Sequence, residues 1–561
     1  MKKKILFLPL LFLILTVAKG EEKSVHVADF GAIPDDGICD AAAIQNAFDY
    51  AKKHKICKVV FGEGDYFLKE RAHNQTKFED SRFLAHILIS DFPGLQIIGA
   101  TGKDGRPLTR LVRHNPCTNQ SNLGGHMQID GCNGLLIKNL EFDNTPQYAS
   151  AGKVTRISGD SLFVEVLEGL PVVNGMAAYC MNAWDLDTRE LKHQPSLTFG
   201  SKEEIDTKNA YWHTNNISSR EMFLRSPQIT SECEVGDGLS WHFGALTFFQ
   251  LSINTSNDIV LENISMPNIA GFGIQTLGCK NVTARGIEFR SRNNQLAVGP
   301  RDAFKINMCD GIVDIDNMYI EGVRWDGQNV HGAFWVFHEK LSDYSFRASK
   351  KYNTISPTEN DSVSFWTGSK EDRNYIKSMK IEKQGDNSVI AVFEVSEPLP
   401  DLLSDKTLIA FDRWDCDDYI LRNSTFRNIA GCGSIIKNKK VTLLNNDYEN
   451  IMYPALVLGG EIQYHYEGTF PKSVEVRGCR FARSGWVSRI NTKGLVGIGN
   501  SGYNERVIGE VLFDNCLFED GETGIDVRFT NKVTVENCTF DRVNHPVLVR
   551  DDSEVIVTPQ L

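Results

Sequence analysis

The chain has 561 residues, 24% of them charged, and a net charge of −12 at pH 7. Acidic and basic residues are interspersed, so the basic stripe that a nucleic-acid partner demands is missing. Neutral or weakly charged ligands fit this balance better than polyanions.

Residues 1–20, "MKKKILFLPLLFLILTVAKG", place three lysines before an apolar run from Ile5 to Ala18, and put Ala18 and Gly20 at the −3 and −1 positions of a cleavage site. This pattern predicts a secretory signal peptide and a secreted or periplasmic mature protein. The run is short for a bilayer span, and no later segment is apolar enough to provide one. Residues 21–144 open with "VHVADFGAIPDDGICDAAAIQNAFDYAKKH", in which Asp40 is a candidate N-cap for an amphipathic helix through Lys53. The strand "KVVFGEGDYFL" follows. A helix at this end would cover the exposed edge of a stacked sheet.

From residue 134 onward one pattern recurs: alternating apolar residues, then Asn or Gly, a small residue, and an aromatic or aliphatic. It reads "GLLIKNLEF" (134–142), "DIVLENISM" (258–266), "NVTARGIEF" (281–289), "GIVDIDNMYI" (311–320) and "YILRNSTF" (419–426). It returns as "KVTLLNNDY" (440–448), "SVEVRGCRF" (473–481), "EVLFDNCLF" (510–518) and "KVTVENCTF" (532–540). The closest copies lie about 22–24 residues apart. A unit this short cannot bury its apolar face alone, so neighbours must stack. The fold class read from this is all-β, a right-handed parallel β-helix. A β-sandwich is the alternative, but it has no need of equal spacing between similar strands. Two stretches interrupt the repeat, 145–240 with "KVTRISGDSLFVEV" and 333–413 with "KSMKIEKQGDNSVIAVFEV". Each contains a hairpin with a Gly-Asp turn, predicting small β modules inserted between coils. The coils therefore run over 21–144, 241–332 and 414–561. Several of the 13 cysteines recur at equivalent points of the repeat (Cys309, Cys479, Cys516, Cys538), which suits stacked buried thiols better than a disulfide framework.

"EGVRWDGQNVHG" (321–332) concentrates Arg324, Trp325, Asp326, Gln328, Asn329 and His331. Asp302 and Asp326 are 24 residues apart, one coil, which would set them about 4.8 Å apart on adjacent coils. Two carboxyls that close push their pKa values apart, as an acid and a base require. Arg301, Lys305, Arg324, Gln328, Asn329 and His331 can hydrogen-bond a polar ligand, and Trp325 can offer it an apolar face. The bland alternative for Asn329 and His331 is that they support a turn.

The opening "DFGA…AIQ.A" resembles the N-terminal segment of pectin-lyase-fold proteins. The run "RDAFKINMCDGIVDIDNMYIEGVRWDGQNVHG" (301–332) resembles the core motif of glycoside hydrolase family 110, the exo-acting α-galactosidases, in which two consecutive acids precede "N-V-H-G". "VSEPLPD" (395–401) and "ALVLGGEIQYHYEG" (455–468) extend the similarity over most of the chain. The resemblance implies removal of terminal α-linked galactose, α-1,3 by the family's habit, with inversion, from a glycan and without a metal or cofactor. Spacing alone would suit a retaining enzyme. It also implies a further acid near Asp361, with Glu359 its neighbour and rival, and places Glu461 and Glu467 near the sugar. This chain departs from the family pattern at Trp325, which stands where the first of the two acids belongs. A lyase using Arg301 or Lys305 as base, a pectin-type hydrolase, and a glycan-binding β-helix that has lost catalysis are the competing readings. Oligomeric state is left open.

Overall fold

The computed structural model describes residues 23–72, 84–114, 124–193, 197, 201–244, 246–351, 355–385 and 388–558. The segment read as a signal peptide lies outside them. Coils of short strands stack in parallel register into a system of 29 strands, a right-handed β-helix. The repeated Asn or Gly is the corner of each coil. Asn139, Asn263, Gly286, Asn317, Asn423, Asn445, Gly478, Asn515 and Asn537 all have φ between 53° and 64°, apart from Asn423 at 51°. This is the left-handed region that Asn and Gly tolerate and β-branched residues do not. In "DIVLENISM" the strand turns at Asn263, so Ile259 and Leu261 face the core from one side and Ile264 from the next. Aromatic residues after the corner stack along the axis: Phe426 on Tyr448 at 4.6 Å, Tyr448 on Phe481 at 5.2 Å and Phe481 on Phe518 at 5.3 Å.

One face of the helix carries the motif residues. Its strands are β1 (Ala85–Ser90), β2 (Gly125–Asp130), β3 (Phe249–Asn254), β4 (Phe272–Leu277), β5 (Phe304–Asn307), β6 (Gln328–His331), β7 (Ser434–Lys437), β8 (Leu456–Leu458) and β9 (Val496–Ile498), each pairing with the next. Helix α1 (Ala41–His54) buries Ala41, Ile44, Ala47, Phe48 and Ala51 against the first coils. Asp40 occupies the N-cap position but its side chain does not cap the helix. Its carboxylate instead accepts from Ile33 N (3.1 Å) and Phe67 N (2.8 Å), tying the helix start to the adjoining strand.

Two antiparallel units interrupt the coils. The first is a six-stranded sheet between the coil of Asn133–Thr145 and β3, containing the hairpin Ala149–Ser158 with Ser161–Val166 around Gly159-Asp160. Trp212 and Trp241 meet 4.4 Å apart in its interior. The second is a closed six-stranded barrel running from Trp335 to Phe411, between β6 and β7. The twelve described cysteines are all free thiols, nine of them buried; Cys117 lies outside the described residues.

Candidate active site

The site is built on β5, β6 and β7. In β6 the alternation of a strand sends Val330 into the coil interior and turns Asn329 and His331 outward. Lys305 pairs with Asn329, and Asn307 pairs with His331, which pairs in turn with Lys437. Phe304 pairs with Gln328, and the same register runs back through the bonds Ala303 N to Asp326 O and Gly273 N to Asp302 O. Asp302 and Asp326 are therefore equivalent positions of adjacent coils. Only 6% and 3% of their surfaces are exposed. The coil above closes tightly on them: a side chain at Gly431 would come within 2.3 Å of the Trp325 carbonyl. That approach brings Cys432 N to 2.9 Å from Asp326 Oδ1, which accepts its hydrogen bond.

Around this pair lies a buried array of charges. Glu467 accepts from Lys437 Nζ at 2.6 Å, Lys305 Nζ at 3.1 Å and Asn329 Nδ2 at 3.3 Å, with His331 Nε2 at 3.4 Å. Glu461 pairs with Arg489 at 2.7 Å and Lys437 at 3.4 Å. Lys437 also donates to Asn329 Oδ1 at 3.0 Å. Burial, reinforced by the nearby Asp326 charge, pushes the Asp302 carboxyl up to about 7. Burial raises Asp326 as well, opposed by the Arg489 guanidinium, the Cys432 N–H and Lys437. Glu467 falls well below the usual range: burial works against its charge, and His331, Lys305 and Lys437 outweigh that cost. Burial lowers His331 to about 3 against the pull of Glu467, so the lysines are the charges that hold Glu467 ionised. A carboxyl that keeps its proton near neutrality thus adjoins one with cationic and hydrogen-bond support, the division of labour that general acid–base chemistry needs.

Several side chains lie elsewhere than the motif suggested. Gln328 is turned into the coil interior, fully buried, where it accepts from Tyr419 Oη at 2.7 Å, so it cannot reach a sugar. Strand alternation explains this, since Asn329 and His331 already occupy the outward positions. Asp361 is not brought to the pair. It lies beside the barrel strand Ser362–Thr367, where it accepts from Thr358 N at 2.7 Å and pairs with Arg413 at 3.3 Å. Glu359 is exposed on the same turn. Trp325 does not present a bare ring: the Arg324 and Arg489 guanidinium carbons stand 4.6 and 5.8 Å from its centroid. Arg324 is buried and donates to Ala430 O at 3.3 Å, and Arg301 lies over the Phe272 ring at 5.6 Å.

The sequence reading missed Lys437, Arg489 and Asn307. Asn307 Oδ1 and Trp325 Nε1 are buried atoms without a hydrogen-bond partner among the described residues. Asn307 was readable from its place two residues after Lys305, on the same face of the strand. Lys437 and Arg489 had no local signal, because they arrive from coils beyond the barrel.

The family described as right handed beta helix region matches residues 413–558. Over 516 residues the chain is 22% identical to alpha-1,3-galactosidase A of Bacteroides fragilis, covering 86% of this chain and 80% of that protein. It is 21% identical to alpha-1,3-galactosidase A of Shewanella woodyi, over 82% of this chain and 77% of that protein. Among solved structures, the A-module of a mannuronan C-5 epimerase of Azotobacter vinelandii superposes with a TM-score of 0.46 at 9% identity, covering 96% of this chain and all of that one.

Proposed function

We propose that this protein is an exported glycoside hydrolase that removes terminal α-linked galactose, α-1,3-linked by similarity to its relatives, from glycans. One observation carries the reading. Asp302 and Asp326 occupy the same position on adjacent coils, buried, with Asp302 raised to about 7 by that burial and by its neighbour. Asp302 is then the general acid that protonates the leaving glycosidic oxygen, and Asp326 is the base that activates water. Inversion is carried over from the family resemblance. Glycan hydroxyls would bond Trp325 Nε1 and Asn307 Oδ1, buried atoms without a partner among the described residues.

Around the acid pair Lys305 and Lys437 are matched by Glu467, and Arg489 by Glu461. The leader at residues 1–20 supports export to the periplasm or the medium. A panel of α-galactosides, with released galactose measured and the product anomer followed by NMR, tests the proposal. Release by the wild type and its loss in both Asp302→Asn and Asp326→Asn is the expected result; unsaturated products would make the protein a lyase instead.

A further inference from the structure

Asp302 and Asp326 belong to a longer row. Each stands just before a strand of the active-site face, and the row is traced by backbone bonds from the residue that follows: Gly273 N to Asp302 O, Ala303 N to Asp326 O and Gly327 N to Cys432 O. One coil further down, Phe272 pairs with Phe249. In axial order the row therefore reads Phe249, Phe272, Asp302, Asp326, Cys432. The residues that follow it, Gly273, Ala303, Gly327 and Gly433, are all small, and a Cβ on Gly273 would meet Ala303 O at 2.3 Å. The coils are thus drawn tightly together beside the row, and Ile274 rather than Phe272 packs into the coil interior.

The two directions along the row differ. Above Asp326 the next position is Cys432, fully buried, whose N–H is already spent on Asp326. Below Asp302 the next position is Phe272, which is partly exposed. A second sugar therefore has room on the Phe272 side of the acids and none on the other. Phe249 backs the Phe272 ring, with centroids 4.9 Å apart and planes inclined by 30°. The Arg301 guanidinium carbon and Lys305 Nζ stand 5.6 and 5.8 Å from the Phe272 centroid. Gln275, on the same strand as Phe272, pairs with Lys305 in register and alternates with the inward Ile274. It is only 2% exposed, and its Nε2 is a buried donor without a partner among the described residues. A buried donor left unpaired costs free energy until something accepts its hydrogen bond.

We propose that Phe272 is the platform of a second sugar subsite, on which the hexopyranose that carries the terminal galactose lays its C–H face, with Lys305 and Gln275 Nε2 donating to its hydroxyls. An apolar ring beside a few convergent donors is the lining that a sugar, apolar on its face and polar at its rim, requires. The step from Asp302 to Phe272 is one coil, about 4.8 Å, close to the repeat of a single pyranose along a glycan. The assignment rests on the hydrolase reading above and deepens it: the glycan runs from the acid pair toward the N-terminal coils.

The test measures kcat/KM for galactosyl-α-1,3-galactose and for methyl α-galactoside in wild type, Phe272→Leu and Phe272→Tyr. The ratio of the two values does not depend on the fraction of enzyme that folds. Wild type should favour the disaccharide. Phe272→Leu, which keeps apolar bulk without a flat ring, should lower the ratio roughly two- to tenfold, the range expected for one aromatic contact. Phe272→Tyr should restore it. Equal losses on both substrates, with the ratio unmoved, would make Phe272 a packing residue and overturn the proposal, as would a wild type without preference. If the wild type releases galactose from neither substrate, the hydrolase reading fails, and titration calorimetry with the uncleaved disaccharide and with galactose decides. Tighter binding of the disaccharide that Phe272→Leu removes sustains the platform; absence of that preference, or its survival in Phe272→Leu, overturns it.

Discussion

At the residue scale the acid pair sets both rate and stability. Asp302 must hold a proton to donate one, so activity should fall as pH rises through about 7. The same shift has a stability cost. A carboxyl whose pKa is raised on folding binds its proton more tightly in the native state. Stability is therefore lost as pH rises from the unfolded value near 4 to the folded value near 7. Asp302→Asn keeps the shape of the protonated acid without the buried charge. It should abolish turnover yet unfold at a higher urea concentration than wild type at pH 8, by on the order of 2–4 kcal/mol. Near pH 4 the two proteins should unfold together; equal midpoints at pH 8 would show that Asp302 is not held protonated. The acid pair was legible because both members stand in one motif, a coil apart. Arg301 and Lys305 were legible in the same motif, but the cations from later coils were not: Lys437 lies in "SIIKNKK", where it reads like any outward lysine on a strand, and only the pairing of His331 with Lys437 across the barrel reveals it. Gln328 could have been placed correctly, since Asn329 and His331 facing outward forces Gln328 inward with Val330.

At the element scale the corner residue was the most informative signal in the chain. Each copy of the repeat places its Asn or Gly at the same left-handed position, and parallel register follows from stacking those corners. Asn317 is exposed, so its role can be isolated from packing. Asn317→Ala should cost about 1 kcal/mol, the left-handed penalty for a residue with a Cβ, whereas Asn317→Gly should be close to neutral. Urea unfolding of the two variants reads the difference, and equal costs would mean that the corner angle is not what the Asn supplies. Asp40 shows the limit of local reading. Its sequence position marks the helix start, but long-range partners, Ile33 and Phe67, claim its carboxylate.

At the scale of the whole molecule, stability is distributed unevenly along the stack. The central coils are covered on both sides by neighbours, and their inward residues are almost wholly buried. The final strands, Thr539–Val549 and Glu554–Thr558, leave most of their side chains exposed or half-exposed. In a stacked repeat each coil is stabilised by its neighbours, so the end coil should open first. Hydrogen exchange should show peptides from 539–558 exchanging well before those from 304–331; matched rates would imply that the coils open only together. The fold class was readable because repetition is a global signal. The two inserted units were readable as small β modules with hairpins, but nothing in a hairpin pattern specifies a closed barrel.

The barrel between β6 and β7 also imposes a timetable. Asp302 and Asp326 leave the ribosome before any residue of the barrel, and Lys437, Glu461, Glu467 and Arg489 only after all of it. At about 5–20 residues per second, the interval between Asp326 and Arg489 is roughly ten to thirty seconds. For about two thirds of that time, until Lys437 is made, the nascent chain carries both acids on an unfinished coil with none of these later charges in place. The protein is thus born without its chemistry, and acquires it only when synthesis is nearly done.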